Sequence, residues 1–163
     1  MAQYGPPWDF SALDRVLDRI MSTPKYEVLA GYPAESGQHE GSTITNPTLA
    51  AIHDLGAPGA GIPERRFLRQ SVENRRTQYT KQLAADLRLA YAGQMTIEEA
   101  YERLALAAEA GVKMEITHPS PSFVPLKPAT VARRIKHTTT PLLDEGHLRN
   151  SALGIVRKAG QTK

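Results

Sequence analysis

The chain of 163 residues contains no cysteine. This absence excludes a disulfide framework, a zinc site with thiolate ligands and a cysteine nucleophile, and it fits a reducing compartment. No apolar run approaches the roughly 20 residues that a membrane-spanning helix needs. The first residues, Met-Ala-Gln-Tyr-Gly-Pro-Pro-Trp-Asp, lack the basic region and apolar core of a signal peptide. We therefore expect a protein without a membrane partner, made in the cytoplasm and kept there or built into a particle there.

The sequence motifs of common catalytic and cofactor sites are also missing. No His-Glu-x-x-His pattern and no Gly-x-Ser-x-Gly pattern occurs. The phosphate-binding Gly-x-x-x-x-Gly-Lys-Ser/Thr and the dinucleotide-binding Gly-x-Gly-x-x-Gly are absent as well. We expect no enzymatic activity, no metal and no cofactor. A small hydrolase that uses His53 or His147 is the catalytic alternative.

Charge is distributed unevenly along the chain. The net charge is +3, but the residues from Lys127 onward carry eight Lys/Arg and two Asp/Glu, and the first 126 residues carry twelve and fifteen. An acidic body with a basic tail can stack on copies of itself or contact nucleic acid. A solvated basic terminus is the plainer interpretation.

Local patterns predict one domain over residues 1–163, which opens with a helical arm over residues 1–24. Apolar spacing, β-branched residues and turn residues predict three short elements: a helix over residues 9–21, a strand over 25–32 and a helix over 46–55. In the third element we expect Asn46 to be the N-cap and Pro47 the first helical residue. Residues 56–63 hold three glycines and two prolines, so we expect a loop that is mobile in the free subunit.

A helical hairpin is predicted in the middle of the chain. Residues 65–91 and 96–117 each show an apolar stripe, and Thr96 with Glu99 forms a capping-box pattern at the start of the second helix. The stripes consist of Leu68, Val72, Tyr79, Leu83, Leu87 and Ala90, and of Ile97, Tyr101, Leu104, Ala108 and Val112. Because so few residues join the two helices, they should pack antiparallel.

The last third alternates loops with short elements. Four prolines in residues 118–128 predict a long loop, and a short helix over 129–136 and a strand over 152–157 follow. Between them lies the loop of residues 137–151, His-Thr-Thr-Thr-Pro-Leu-Leu-Asp-Glu-Gly-His-Leu-Arg-Asn-Ser. Its adjacent apolar residues Leu142 and Leu143 indicate a contact with a neighbouring subunit. The alternative is that both leucines pack under the protein's own sheet.

Two groups of residues are candidates for an interface with a neighbouring subunit. They are Arg65, Arg66, Phe67 and Arg69 at the start of the long helix, and Pro141, Leu142, Leu143, Arg149 and Asn150 in the loop of residues 137–151, which we call the late loop. Arginine residues continue along the long helix, and three interpretations remain open for them: a salt-bridged interface, a solvated face, or contact with nucleic-acid phosphates.

Five segments, in order, resemble one protein family. These are Tyr-Glu-Val-Leu-Ala-Gly-Tyr at residues 26–32, Leu-Ala-Ala-Ile-His-Asp-Leu-Gly at 49–56, Ile-Pro-Glu-Arg-Arg-Phe-Leu-Arg at 62–69, the Pro-Leu-x-Pro-x-Thr-x-x-x-Arg pattern at 125–134, and Thr-Pro-Leu-x-Asp-x-Gly-x-Leu-x-x-Ser at 140–151. Together they resemble the tail-completion or neck proteins of tailed bacteriophages, which include tail-to-head joining and minor-tail-protein-Z-like proteins. Asp54 and Leu55 stand where the family has Glu-Phe, and Arg66 replaces a proline.

The resemblance implies an α+β fold in which a small antiparallel or mixed sheet packs against the helical hairpin and short helices, with extended Pro/Gly-rich loops. It also implies a structural virion protein without enzymatic activity. Such proteins form a ring, usually a hexamer, between the head connector or head-closure protein and the tail tube or tail terminator, and DNA passes through the lumen. The competing function is that of a basic DNA-binding accessory protein.

Overall fold

The computed structural model describes residues 11–21, 25–39, 43–134 and 138–160. Its elements, in chain order, are α1 (Ser11–Met21), β1 (Tyr26–Gly31), α2 (Asn46–Leu55), α3 (Phe67–Tyr91), α4 (Ile97–Thr117), α5 (Pro128–Arg133), α6 (His147–Asn150) and β2 (Leu153–Lys158). Short 3₁₀ turns occur at Ala34–Ser36 and Pro58–Ala60. None of the helices in these ranges is both long and apolar enough to cross a membrane.

The α+β class predicted from the sequence is confirmed. Helices α3 and α4 pack as the expected hairpin, and β1 and β2 form a two-stranded antiparallel sheet against α4. In the sheet Tyr26 is opposite Lys158 and Ala30 is opposite Gly154. Because α3 and α4 separate the strands in sequence, the sheet joins the two ends of the domain.

Local chemistry explains how the hairpin turns. The capping box predicted for α4 is confirmed: Glu99 N donates to Thr96 Oγ1 at 3.0 Å, and Thr96 N donates to Glu99 Oε2 at 2.6 Å. These bonds satisfy amide groups that the first helical turn leaves unpaired. Gly93 follows α3 with a φ of +79°, so the chain can reverse there without the clash of a β-carbon.

The start of α2 differs from the prediction. Thr45, rather than Asn46, is the N-cap, and its Oγ1 accepts from Thr48 N at 3.3 Å. Asn46 is buried instead, and its Nδ2 donates to the carbonyl oxygens of Ser36 at 2.7 Å and Gln38 at 3.1 Å. The amide side chain can satisfy two backbone acceptors of the preceding loop, which a threonine hydroxyl cannot do as well.

The main cluster of buried apolar side chains lies where α3 begins and α4 finishes. It consists of Ala50, Phe67, Val112, Ile116, Phe123, Leu142, Leu148 and Ala152. Elsewhere along the hairpin the buried apolar residues are small: Ala90, Ala100, Ala105 and Ala108. Val72 of the predicted α3 stripe is 48% exposed, and Leu83 and Leu104 are half-buried. The larger residues of the stripes therefore remain partly open toward the other end of the hairpin.

Candidate functional site

The late loop is held by one arginine that follows α5. The predicted helix 129–136 is observed at Pro128–Arg133, and Arg134 is extended with a ψ of 138°; residues 135–137 lie outside the described ranges. The Arg134 side chain is 11% exposed. Its guanidinium donates to oxygens of one loop: the carbonyls of Thr140 (2.7 Å), Pro141 (2.8 Å), Leu143 (3.0 Å) and Thr138 (3.1 Å), and the Thr138 hydroxyl (2.9 Å). A planar fork of donors suits such a ring of acceptors.

The second half of the loop is anchored by the buried Leu148 and by two hydroxyl groups. Gly146 has a φ of +95°, and α6 follows it directly. The Leu148 carbonyl accepts from Tyr32 Oη at 2.8 Å and from Ser151 Oγ at 3.1 Å. Burial raises the pKa of Tyr32, so its phenol stays a proton donor. Because Ser151 Oγ donates to a carbonyl oxygen, the structure gives it the role of a structural hydroxyl.

A second arginine, Arg65, lies deep beneath α2 and is 4% exposed. Its Nε and Nη2 donate to the Val124 carbonyl at 3.2 Å and 3.1 Å, and its backbone amide donates to the His53 carbonyl at 2.9 Å. Burial, and then the charge of Arg134, lowers the pKa of Arg65. A guanidinium nevertheless remains protonated in proteins, so this end of the fold contains a buried positive charge.

His53 lies near both arginines. Its Nδ1 is buried without a hydrogen-bond partner among the described residues. Burial lowers the pKa of His53, and the charges of Arg65, Arg134 and His39 lower it further. The imidazole is therefore neutral near pH 7. Among the described residues, no hydrogen bond or ion pair links His53 to a carboxylate.

The segment between α2 and α3 has a defined structure. Asp54 Oδ1 accepts from Leu68 N at 3.0 Å and so satisfies an amide in the first turn of α3. Burial raises the pKa of Asp54, although the bond from Leu68 opposes this shift. Residues 57–62 form a hydrogen-bonded turn in which Ala57 and Ile62 exchange two backbone bonds at 2.9 and 3.1 Å. This turn weighs against the mobility expected for residues 56–63.

Two cavities flank the group of Arg134, His53 and Pro141, which line both of them. One has a volume of about 220 Å³ and lies beside α5; we call it the α5 cavity. The other has a volume of about 260 Å³ and contains His39, Glu145 and His147 in its lining. His147 Nε2 lies 2.8 Å from Glu145 Oε2, and the rings of His39 and His147 are 6.0 Å apart. Within the described ranges no three His, Cys, Asp or Glu residues are grouped so that they could hold a metal.

The structure separates the nine residues predicted to contact a neighbour. Arg65, Phe67 and Leu142 are buried within the protein itself, which leaves few of their side-chain atoms at the surface for a neighbour. Leu142 packs inside because Arg134 closes the loop over it, and Leu143 packs partly against the same core. Of the alternatives considered for the two leucines, packing within the domain is therefore the one observed.

The remaining candidates are exposed or half-exposed. Arg66 pairs with Glu64, and Arg69 Nε donates to Glu73 at 2.8 Å. Arg149 Nη2 donates to the neutral amide oxygen Oδ1 of Asn150 at 3.0 Å, and Pro141 is half-buried. These residues remain available at the surface.

Two of the five basic residues of α3 are paired within the protein. Arg69 pairs with Glu73, and Arg75 lies 3.3 Å from the buried Glu115. The other three, Arg76, Lys81 and Arg88, are exposed and form no ion pair with the described residues. The helix therefore keeps three exposed cations, and the interpretations of its charge as a subunit interface, a solvated face or a phosphate contact stay open.

Helix α1 was not among the predicted contact sites, yet it exposes the most continuous apolar surface. Leu13, Val16, Leu17 and Ile20 lie on one face and are 38–53% exposed, and Met21 beside them is 85% exposed. Where α1 meets the rest of the fold, Arg19 Nη1 donates to the Tyr91 carbonyl at the end of α3 at 2.9 Å. The 3-4-7 spacing reveals this stripe in the sequence, but not how much of it is exposed in the part of the chain that the structure describes.

No family model, curated protein or solved structure matches this chain. The resemblance to phage neck proteins therefore stands on the five segments alone.

Proposed function

We propose that this chain is a structural protein of the neck of a tailed bacteriophage, where copies form a ring, usually a hexamer, at the junction of head and tail. The ring joins the tail tube or its terminator to the head connector or head-closure protein, and DNA passes through its lumen. The protein then belongs to the virion and passes through the host cytoplasm during assembly.

The observation that carries this proposal is the convergence of the five resembling segments on one end of the fold. Tyr32 of the first segment binds Leu148 of the last, Asp54 of the second caps the helix begun in the third, and Arg134 of the fourth binds the loop of the fifth. A shared fold requires its recurring residues to have such linked structural roles.

The exposed face of α1 supports the assembly part of the proposal. A ring is built from a heterologous interface, in which one surface of each copy meets a different surface of the next. Leu13, Leu17 and Ile20 form an apolar stripe that is unusual for a surface helix of a monomer. We assign this stripe to the contact with an adjacent copy of the chain.

Size measurement and electron microscopy of the purified protein test this proposal. Wild type is expected to form a ring with an open centre, and Leu17→Gln, on the apolar face of α1, should shift the protein to smaller species. Arg15→Gln on the same helix is the matched control and should assemble as wild type does. A protein that stays monomeric at all concentrations, and in the presence of phage tails, would contradict the proposal.

A DNA-binding accessory protein is the second candidate, and the exposed Arg76, Lys81 and Arg88 favour it. Phosphate contacts release counterions, so binding to duplex DNA would weaken steeply as salt increases. Binding of this kind by a protein that forms no ring would favour the second candidate over the first.

A further inference from the structure

The α5 cavity has a one-sided charge. Its lining includes the cations Arg65, Lys127 and Arg134 together with His53, and no Asp or Glu of the described ranges lines it. Its other walls are mostly apolar and include Ile62, Pro63, Val124, Pro125, Leu126 and Pro141. A recess with cations at its base and hydrocarbon on its sides favours an anionic group attached to an aliphatic stem.

Arg65 lacks a counter-charge in this cavity. The guanidinium is buried and donates to one carbonyl oxygen, that of Val124, while no carboxylate of the described residues lies within ion-pair distance. The neighbouring charged group is another cation, Arg134. A buried charge without an opposite charge is unfavourable unless a ligand or partner supplies one.

The two other polar side chains beside Arg65, those of Arg134 and His53, differ in how far they are already paired. Arg134 uses its Nη atoms on the late loop, and its Nε is 3.9 Å from Asp144 Oδ2, so its charge is partly balanced. His53 Nδ1 is buried without a described partner and can serve as a donor in one tautomer of the neutral ring. An anion in the cavity would meet the charge of Arg65 beside the imidazole of His53.

We propose that the α5 cavity binds the carboxylate of an Asp or Glu side chain presented by another protein chain. A planar carboxylate matches the donor fork of arginine, and its methylene stem suits the proline and aliphatic walls. A phosphate of duplex DNA sits between two sugars on a convex surface and meets exposed cations more readily than a recess of about 220 Å³. This inference does not depend on ring formation, because it can be tested on a monomer.

The test is a titration of ¹⁵N-labelled protein at constant ionic strength, followed by amide chemical shifts. The probe is acetyl-Gly-Gly-Glu-Gly-Gly-amide, and its control is the same peptide with Gln in place of Glu. We expect the Glu peptide to shift the amides of Ile62, Lys127 and Thr130 in a saturable way and the Gln peptide to leave them unchanged.

Two variants of α5 localise the binding. Thr130→Glu places a carboxylate in the lining of the cavity and should weaken peptide binding by at least about tenfold, because it supplies the missing charge and repels the probe. Ala129→Glu adds the same charge to the adjacent exposed residue, which does not line the cavity, and should bind within about twofold of wild type. Lys127→Gln, at the exposed rim, should also weaken binding if Thr130→Glu does not fold.

Three outcomes overturn the proposal. The first is that the Glu and Gln peptides bind equally well, or that neither peptide binds. The second is binding of inorganic phosphate at this cavity without the peptide, which would identify a free-anion site. The third is that a DNA duplex binds and is weakened by Thr130→Glu, while the Glu peptide does not bind. That result would assign the cavity to nucleic acid.

Discussion

Replacing Gly154 with alanine tests the packing of the sheet on the hairpin. Gly154 lies in β2 opposite Ala30, and its amide donates to Glu109 Oε2 of α4 at 2.9 Å. A β-carbon at this position would overlap the Ala105 carbonyl oxygen and lie 2.7 Å from its carbon. Both obstacles are backbone atoms of a long helix, so neither can rotate away, and β2 must retreat from α4.

The size of the effect follows from these distances. Non-bonded carbon atoms rest about 3.5–4.0 Å apart, so the strand must move by about 1 Å. Overpacking of this kind costs about 1–3 kcal/mol. A retreat of that size also stretches the bond to the Glu109 carboxylate, a type of bond worth about 1.5–3 kcal/mol. Alanine also reduces the conformational freedom of the unfolded chain, which stabilises the folded state by about 0.4–1 kcal/mol. We expect a net loss of about 2–5 kcal/mol in the free energy of unfolding.

Urea denaturation monitored by circular dichroism measures this loss, with another glycine as the control. In Gly59→Ala nothing lies within 4 Å of the new atom, and stability should be unchanged. If Gly154→Ala unfolds at the same urea concentration as Gly59→Ala, the described contact between β2 and α4 is wrong.

Three further substitutions test the helix cap and the buried cations. Arg134→Lys should lower the free energy of unfolding by about 2–4 kcal/mol and speed hydrogen exchange in the late loop, because an ammonium group cannot reproduce the guanidinium fork. The exposed Arg133→Lys is the control and should change the free energy of unfolding by no more than about 0.5 kcal/mol. Equal effects of the two substitutions would contradict the proposed role of Arg134. Thr96→Ala should cost about 1 kcal/mol in thermal unfolding through loss of the capping box, and an unchanged melting temperature would argue against that cap. The lowered pKa of His53 means that the unfolded chain binds a proton more readily, so stability should fall as the pH drops through about 6.5. His53→Gln should flatten that fall, whereas the exposed His118→Gln should follow wild type; parallel curves for all three proteins would refute it.

The order and type of the main elements could be predicted because their causes are local. Thr96 and Glu99 specify the start of α4 with two side chains three residues apart, and Gly93 permits the reversal before it. The stripes of α3 and α4 are visible at helical spacing in the sequence. The exact ends of the helices were predicted less well. At the start of α2, Thr45 and Asn46 are both residue types that can cap a helix, and only the tertiary structure shows that Asn46 binds the preceding loop and that Thr45 is the cap.

The burial of three interface candidates could not be predicted, because burial is not a local property. The sequence around Leu142 and around Phe67 suggests apolar side chains at the surface. In the structure, each side chain lies in a core made from segments throughout the chain. Leu17 lies in a plainly amphipathic helix, yet its exposure depends on whether another element covers it. The sequence shows a stripe and cannot show that the stripe has no partner.

The sequence by itself determined the class of fold, the helical hairpin and the absence of common catalytic motifs, because caps, periodicity and motif spacing act over a few residues. Only the tertiary structure brought Arg65, Arg134 and His53 together. Their sequence neighbours give no hint of this grouping, since Arg65 follows a turn and Arg134 follows a short helix. The electrostatic environment of a buried charge depends on residues far away in the sequence. At Arg65 the described residues supply a carbonyl oxygen and another cation, and none of them supplies a carboxylate within ion-pair distance.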